Sequence, residues 1–216
     1  MRMLEGMKVA IFDMDGTLLD SMGEWRKLNI SFVREMGIDL TDEHIKELYS
    51  MSGMMVVNYL KERFDLDVPF SVLLERSSRL MEQPYRRGLP LKPGARDYLK
   101  RLGARGVKRV ICTATPAHLA LIALNKADMV RDLDYIFSTD MIGGSKKDAE
   151  FYDRLCAFLG EKKEACVMFE DALYAMKGAR EAGLGVIGIT DGTNERDREA
   201  IIALCDRVID SFDELE

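Results

Sequence analysis

Short apolar runs alternate with stretches of helical spacing over most of the C-terminal half of the chain. The runs VKRVIC, ACVMF and GVIGI are rich in apolar and β-branched residues, as strands buried in a parallel sheet are. Between them, apolar residues recur every three or four positions, as in amphipathic helices. The alternation predicts an α/β fold, a doubly wound parallel sheet covered by helices on both faces. The predicted strands are 107–112, 133–137, 165–169, 185–189 and 207–209, and the predicted helices are 116–126, 147–160, 172–182 and 195–204.

The N-terminal part follows a different pattern. A first predicted strand, 8–12, is followed by a long stretch in which helical spacing continues almost without a break, and prolines punctuate it. A βα crossover rarely needs more than a few tens of residues. The simplest interpretation is a helical domain at 20–87, inserted into a core made of residues 1–19 and 88–216. The first helix of the core after the insertion is then predicted at 93–102.

Composition narrows the possible functions. The chain has 216 residues, 47% of them hydrophobic, which is enough for a real core and argues against disorder. Its net charge of −6 disfavours a nucleic-acid partner. The sequence has neither a signal peptide nor an apolar run long enough to span a membrane, so a cytoplasmic protein without a membrane partner is expected. The four cysteines form no CxxC pair, which predicts free thiols, and a monomer is the default expectation.

Two carboxylates stand where the first predicted strand ends. Asp13 and Asp15 follow the run VAIF directly and, two positions apart in an extended chain, point to the same side. Asp and Gly are also ordinary turn residues, but open α/β sheets bind their ligands at this edge. Gly16 allows a tight turn there, and Thr17 adds a hydroxyl just beyond it. The segment therefore indicates a binding or catalytic site.

Other polar residues follow the later strands and loops. Thr113 comes after the strand 107–112, and Thr115 has the position of a helix N-cap before Pro116. The loop before the helix 147–160 carries Lys146 and Lys147, which supply positive charge, although loop lysines are most often simply solvated. Thr113 is left without a structural explanation and is therefore a candidate for function.

The acidic residues at two strand ends indicate a metal. Asp13, Glu170 and Asp171 would place carboxylates at neighbouring strand ends, where their repulsion requires a cation. Hard oxygen ligands without nearby His or Cys favour Mg²⁺. A magnesium ion with a lysine, a hydroxyl and helix N-termini makes a phosphate site, and an aspartate within it can act as nucleophile through an aspartyl-phosphate. The residues together predict Mg²⁺-dependent phosphoryl chemistry.

These motifs resemble a known superfamily. The string DMDGTLLDS, Thr113, the Lys146 region and the pair Glu170–Asp171 resemble, in this order, the four motifs of the haloacid dehalogenase superfamily. A helical insertion directly after the first motif is similar to its C1-cap branch, which includes β-phosphoglucomutase and phosphoglycolate phosphatase-like enzymes. The resemblance covers essentially the whole chain. It implies a Rossmann-like core with an inserted helical cap.

The resemblance also implies a role for each site residue. Asp13 would be the nucleophile, and Asp15 the general acid that protonates the leaving alcohol and then the base that activates water. Thr113 and Lys146 would hold the transferring phosphoryl group. The implied Mg²⁺ ligands are the Asp13 carboxylate, the Asp15 backbone carbonyl and the Asp171 carboxylate, with Glu170 in or beside that shell.

The sequence departs from the superfamily pattern at two places. The third motif often has the form Lys-Pro-x-Pro, whereas this chain has KKDA from Lys146 onward, so Lys147 remains an alternative phosphate-binding lysine. A glycine usually found after the acidic pair is replaced by Ala175. Neither change removes a catalytic group.

The expected enzyme is a phosphatase acting on a small phosphorylated metabolite. In this superfamily an aspartate at the Asp15 position favours phosphate esters over carbon–halogen or carbon–phosphorus bonds. A mutase has to hold a second phosphate, but the stretch SMSGMMVVNYL has no basic residue before Lys61. Five residues either line the substrate cleft or belong to the core of the cap: Trp25, Met54, Met55, Val56 and Val57. A sugar phosphate mutase and a non-catalytic phosphate-binding protein remain alternatives, and no P-loop motif occurs.

Overall fold

A six-stranded parallel sheet forms the centre of the molecule. The computed structural model describes residues 2–49, 53–192 and 194–215. The strands are β1 (Val9–Phe12), β2 (Lys108–Thr113), β3 (Tyr135–Ser138), β4 (Cys166–Glu170), β5 (Gly185–Ile189) and β6 (Arg207–Ile209). Their order in the sheet is β3-β2-β1-β4-β5-β6, and every pair is parallel. The chain builds outward from β1 in both directions, which confirms the predicted doubly wound α/β fold.

Helices cover both faces of this sheet. Alternate residues of β1 point to opposite faces of the sheet. Ala10 and Phe12 belong to the hydrophobic cluster on one face, and Val9 and Ile11 belong to the cluster on the other. Because both faces are covered, the central strands are apolar along their length. The helices that follow β1 outside the insertion are α6 (Ala95–Ala104), α7 (Ala117–Lys126), α8 (Thr139–Ile142), α9 (Ala149–Leu159), α10 (Leu173–Glu181) and α11 (Arg198–Leu204), and a short α1 (Arg2–Glu5) precedes β1.

The long stretch after β1 is helical, as predicted. Its helices are α2 (Met22–Glu35), α3 (Asp42–Tyr49), α4 (Gly53–Phe64) and α5 (Phe70–Arg87). They enclose a third hydrophobic cluster of their own, made of Ile30, Phe32, Val33, Leu48, Val56, Val57, Leu60 and Leu73. The division into a core of 1–19 and 88–216 and a domain of 20–87 stays a prediction.

The observed elements differ from the predicted ones mainly at their ends. The first core helix begins at Ala95 and not at residue 93, because Gly94 precedes it with a left-handed φ of 73°. The predicted helix 195–204 is a 3₁₀ turn at Glu195–Asp197 followed by α11. All four cysteines are free. None of the described helices is both long and apolar enough to cross a membrane.

Candidate active site

The candidate site lies where β1 and β4 end side by side. Phe12 is the partner of Phe169 in the parallel register, and the backbone N–H of Asp13 donates to the Phe169 carbonyl at 3.0 Å. This continues the ladder by one residue and brings Asp13 next to Glu170. Since β2 pairs with β1 on the other side, Thr113 ends its strand at the same edge. The topology therefore gathers residues from three strands.

A buried lysine lies between two of the carboxylates. The Nζ atom of Lys146 donates to Asp13 Oδ1 at 2.5 Å, to Glu170 Oε2 at 2.7 Å and to the Cys112 carbonyl at 3.4 Å. Only 2% of the Lys146 surface is exposed, whereas Lys147 points into solvent. The structure thus brings Lys146 into the acidic site and leaves Lys147 outside it.

The three strand-end carboxylates form one cluster. Oxygen atoms of Asp13, Glu170 and Asp171 all lie within 4.8 Å of one another, and all three residues are buried. Glu170 Oε1 also accepts from the backbone N–H groups of Asp171 and Ala172, at 3.2 and 3.1 Å. Asp171 Oδ1 accepts from the Thr17 hydroxyl at 2.9 Å. These contacts fix two of the carboxylates from behind the cluster.

The charges of the cluster do not balance. Burial raises the pKa of Asp13, an effect that the Lys146 ammonium opposes and the Glu170 charge adds to. Burial, then the charges of Glu170 and Asp13, raise the pKa of Asp171 well above its usual range. Burial alone would lower the pKa of Lys146, but the two adjacent carboxylates raise it well above its usual range. One ammonium facing three buried carboxylates fits a site that binds a cation through hard oxygen donors.

Gly16 allows this close approach. Its φ of 84° lies in the left-handed region, which side chains other than glycine rarely adopt. A Cβ atom on Gly16 would also meet the Asp171 carboxylate, with Cγ at 2.7 Å. A glycine directly after Asp15 is therefore required both by the turn and by the packing of the acidic cluster.

Asp15 lies outside this cluster and has hydroxyl partners of its own. Its Oδ1 and Oδ2 both lie 2.9 Å from the Tyr85 hydroxyl, and Oδ2 accepts from the Thr115 hydroxyl at 2.8 Å. Burial, then the charge of Asp15, raise the pKa of Tyr85 well above its usual range, so the phenol keeps its proton and donates. The expected N-cap role of Thr115 is wrong: α7 begins after Pro116, and the hydroxyl turns toward Asp15 instead.

Thr113 and the loop of Lys146 are fixed by backbone contacts. Thr113 is buried, and its Oγ1 accepts from the Thr115 N–H at 3.0 Å. A Cβ atom on Gly178 in α10 would collide with the Lys146 carbonyl oxygen and would lie 2.8 Å from the Lys147 carbonyl carbon. The absence of a side chain at Gly178 therefore makes room for this loop. The carbonyl of Ala175 accepts from the Tyr152 hydroxyl at 2.9 Å.

The residues considered for the substrate cleft have different surroundings. Trp25 is half-buried and packs against the hydrophobic cluster on one face of the sheet, not against the cluster of the insertion. The side chain of Met54 lies outside the described residues. Val56 and Val57 are buried in the cluster of the insertion, while Met55 is 37% exposed. The valines therefore belong to a core and not to a cleft.

Several residues near the site had no sequence signal. Asp191, just beyond β5, accepts from Arg26 at 3.2 Å and from Lys92 at 2.7 Å. The side chain of Asn194 donates to the Asp171 carbonyl at 2.9 Å. Tyr85 also had no sequence signal, because it lies 70 positions from its hydrogen-bond partner Asp15. No local motif identifies such pairs, since their members are far apart in the sequence and only tertiary packing brings them together.

Comparisons with known proteins agree with this geometry. Residues 7–183 match the family model described as haloacid dehalogenase-like hydrolase. The chain is 26% identical over 202 residues to hexitol phosphatase B of Escherichia coli K12, covering 90% of this chain and 88% of that protein. It is 23% identical over 190 residues to a phosphorylated carbohydrates phosphatase of Thermotoga maritima, covering 88% of each. The solved structure of CbbY from Rhodobacter sphaeroides in complex with phosphate is similar, with a TM-score of 0.76 and 22% identity over 97% of this chain and 96% of that one.

Proposed function

The chain belongs to the haloacid dehalogenase-like hydrolases, and on that basis we propose that it is a Mg²⁺-dependent phosphatase of a small phosphorylated metabolite. The family match confirms the predicted superfamily and the prediction of a hydrolase. The relatives named as phosphatases of hexitol and carbohydrate phosphates support a sugar phosphate or a similar monoester as the substrate. The insertion of helices α2–α5 is proposed to be the cap of the C1 branch.

One observation carries the proposal. The ammonium group of Lys146 lies against the Asp13 carboxylate, in a buried site that holds two further carboxylates. An ammonium at this position neutralises negative charge that a phosphoryl group brings to Asp13. We propose that Lys146 and Thr113 hold that group. The carboxylates of Asp13, Glu170 and Asp171, with the Asp15 carbonyl, would hold Mg²⁺, which would supply the remaining charge neutralisation for the phosphoryl oxygens.

The proposed reaction has two steps. A carboxylate oxygen of Asp13 attacks the phosphorus, the bond from phosphorus to the ester oxygen breaks, and Asp15 gives its proton to the departing alkoxide. Asp15, now a carboxylate, then takes a proton from a water molecule whose oxygen attacks the phosphorus of the aspartyl-phosphate. The bond between Asp13 and phosphorus breaks, inorganic phosphate leaves, and both aspartates return to their starting states.

Two alternative functions, a sugar phosphate mutase and a non-catalytic phosphate-binding protein, fit the site less well. A sugar phosphate mutase would hold a second phosphate, but the described part of α4 offers no Lys or Arg before Lys61. That favours a phosphatase. A phosphate-binding protein without turnover would not need Asp15 to be held by two hydroxyl groups.

The test is phosphate release from a panel of sugar, sugar alcohol and short acid monophosphates with Mg²⁺, run beside Asp13→Asn. We expect release from a few panel members by the wild-type protein and its loss in Asp13→Asn. Asp20→Asn is the matched control, because Asp20 belongs to the same motif but is exposed, and its activity should stay at the wild-type level.

Three results would contradict the proposal. Turnover that survives in Asp13→Asn would exclude Asp13 as the nucleophile. Conversion of a hexose 1-phosphate to its 6-phosphate without phosphate release would identify a mutase. Binding of panel members by both proteins without any turnover would identify a non-catalytic binder.

A further inference from the structure

The hydroxyl group of Tyr85 is the one contact that the helical insertion makes with Asp15 among the hydrogen bonds of the described residues. We propose that Tyr85 is a positioning residue, whose hydroxyl holds the Asp15 carboxylate in the orientation from which Asp15 exchanges a proton with the substrate. This inference rests on the proposed phosphatase function.

Two hydroxyl groups from different elements hold this carboxylate. Tyr85 near the end of α5 lies 2.9 Å from both oxygens, and Thr115 before α7 donates to Oδ2 at 2.8 Å. The two hydroxyl oxygens are themselves 3.5 Å apart. A carboxylate with a single donor can still turn about its side-chain bonds, whereas two separate donors define its plane. Hydrogen bonds to a charged acceptor are also stronger than those between neutral groups.

Tyr85 acts through Asp15 and not on the substrate. Its side chain has 0% exposure, so a molecule in the cleft has no surface of Tyr85 to touch. The ring packs in the hydrophobic cluster of the sheet, together with Met81 of the same helix and Leu18 and Leu19 of the first motif. This packing fixes the ring, and the ring fixes the direction of the hydroxyl.

The helix that carries Tyr85 joins both parts of the molecule. Leu73, near the start of α5, belongs to the hydrophobic cluster of the insertion, whereas Met81 and Tyr85 belong to the cluster of the sheet. The orientation of the proposed acid and base therefore depends on a residue of the insertion. Proton transfer is efficient only when this helix lies where the structure has it.

The leaving group of the substrate provides the test. A p-nitrophenolate ion leaves without a proton, while the alkoxide of a sugar phosphate needs the proton of Asp15. In Tyr85→Phe we expect kcat/KM to fall roughly tenfold or more for the aliphatic monoester that the wild-type protein hydrolyses fastest, but less than about twofold for p-nitrophenyl phosphate. The ratio kcat/KM reports only the steps through aspartyl-phosphate formation, so slower hydrolysis of that intermediate does not disturb the comparison.

Two variants complete the experiment. Tyr98→Phe is the matched control, because Tyr98 is equally buried and its hydroxyl has no hydrogen-bond partner among the described residues. Tyr98→Phe should leave kcat/KM unchanged for both substrates. Asp15→Asn should lower kcat/KM selectively for the aliphatic monoester, as Tyr85→Phe does, but by a larger factor. If a smaller fraction of a variant is folded, kcat/KM falls equally for both substrates, and the ratio of the two values is unchanged.

The possible failures can be told apart. Equal losses on the two substrates in Tyr85→Phe, or no loss, would overturn the role of Tyr85 while the phosphatase stands. If the wild-type protein hydrolyses no aliphatic monoester, the proposed function is contradicted, and the role of Tyr85 with it.

Discussion

Replacing Lys146 by methionine removes the only positive charge described within the acidic cluster. Lys146 is 2% exposed and its Nζ lies 2.5 Å from Asp13 and 2.7 Å from Glu170, so both carboxylates lose a buried partner. Removing one member of a buried ion pair costs about 3–5 kcal/mol of unfolding free energy. For a chain of this length that corresponds to a fall in Tm of about 6–20 °C. Loss of one charged group that stabilises the transition state should lower kcat about a hundredfold or more.

The effect on stability should depend on pH with a definite sign. Burial raises the pKa of Asp13, and Lys146 is the group that opposes this rise. Without Lys146 the folded-state pKa of Asp13 is higher still, while the unfolded chain keeps its ordinary value. Below about pH 8, the folded pKa of Asp13 in the wild-type protein, this carboxyl is protonated in both folded proteins, so its share of the penalty appears only as the pH rises above that value. Thermal unfolding of the metal-free protein at several pH values measures this.

Lys147→Met is the control for Lys146→Met. Lys147 is the next residue and carries the same charge, but it is exposed and its replacement should change stability by less than about 0.5 kcal/mol. Phosphate release should be lost in Lys146→Met only. The reasoning fails if Lys147→Met loses activity and Lys146→Met does not, or if Lys146→Met unfolds like the wild-type protein near pH 9.

Two further predictions concern the same site. In Gly178→Ala the new methyl group meets the backbone of Lys146 and Lys147, so thermal unfolding should show a loss of about 1–3 kcal/mol and kcat should fall, whereas Gly23→Ala, where no atom lies within 4 Å, should be tolerated. Equal effects of the two would contradict this account of the loop. Because burial raises the pKa of Asp13 and Asp171, the metal-free protein should lose stability between about pH 5 and pH 8, and saturating Mg²⁺ should restore roughly 2–3 kcal/mol near pH 8 and less near pH 5. A Tm increase of the same size at both pH values would argue against a metal on these carboxylates.

The strand ends could be predicted from sequence because they depend on local pattern. Asp13 and Glu170 each follow an apolar run, and parallel register alone then makes them neighbours. The choice between Lys146 and Lys147 could not be made in this way. The choice depends on how the loop packs against α10. The backbone of Lys146 and Lys147 lies directly against Gly178 of that helix, where a side chain would not fit.

The partners of Asp15 were beyond sequence reasoning for a different physical reason. Thr115 has the residue type and position of an N-cap, and a local pattern favours that role. The hydroxyl donates to Asp15 instead, because a hydrogen bond to a charged carboxylate is stronger than one to the neutral backbone of a helix end. Tyr85 belongs to the insertion, and neither residue spacing nor composition predicts how the insertion packs on the core.

The two chain segments that lead into and out of the insertion are held close to the acidic cluster. Leu19 and Leu91 form an isolated bridge between them, and the Lys92 N–H donates to the Leu18 carbonyl at 2.9 Å. Arg26, in the first helix of the insertion, and Lys92, just after the insertion, share the carboxylate of Asp191. The charge of Asp191 adds to the rise in the pKa of Asp171. A movement of the insertion that took Arg26 away from Asp191 would leave more negative charge beside Asp171. The position of the insertion and the negative charge beside Asp171 are therefore linked through the carboxylate of Asp191.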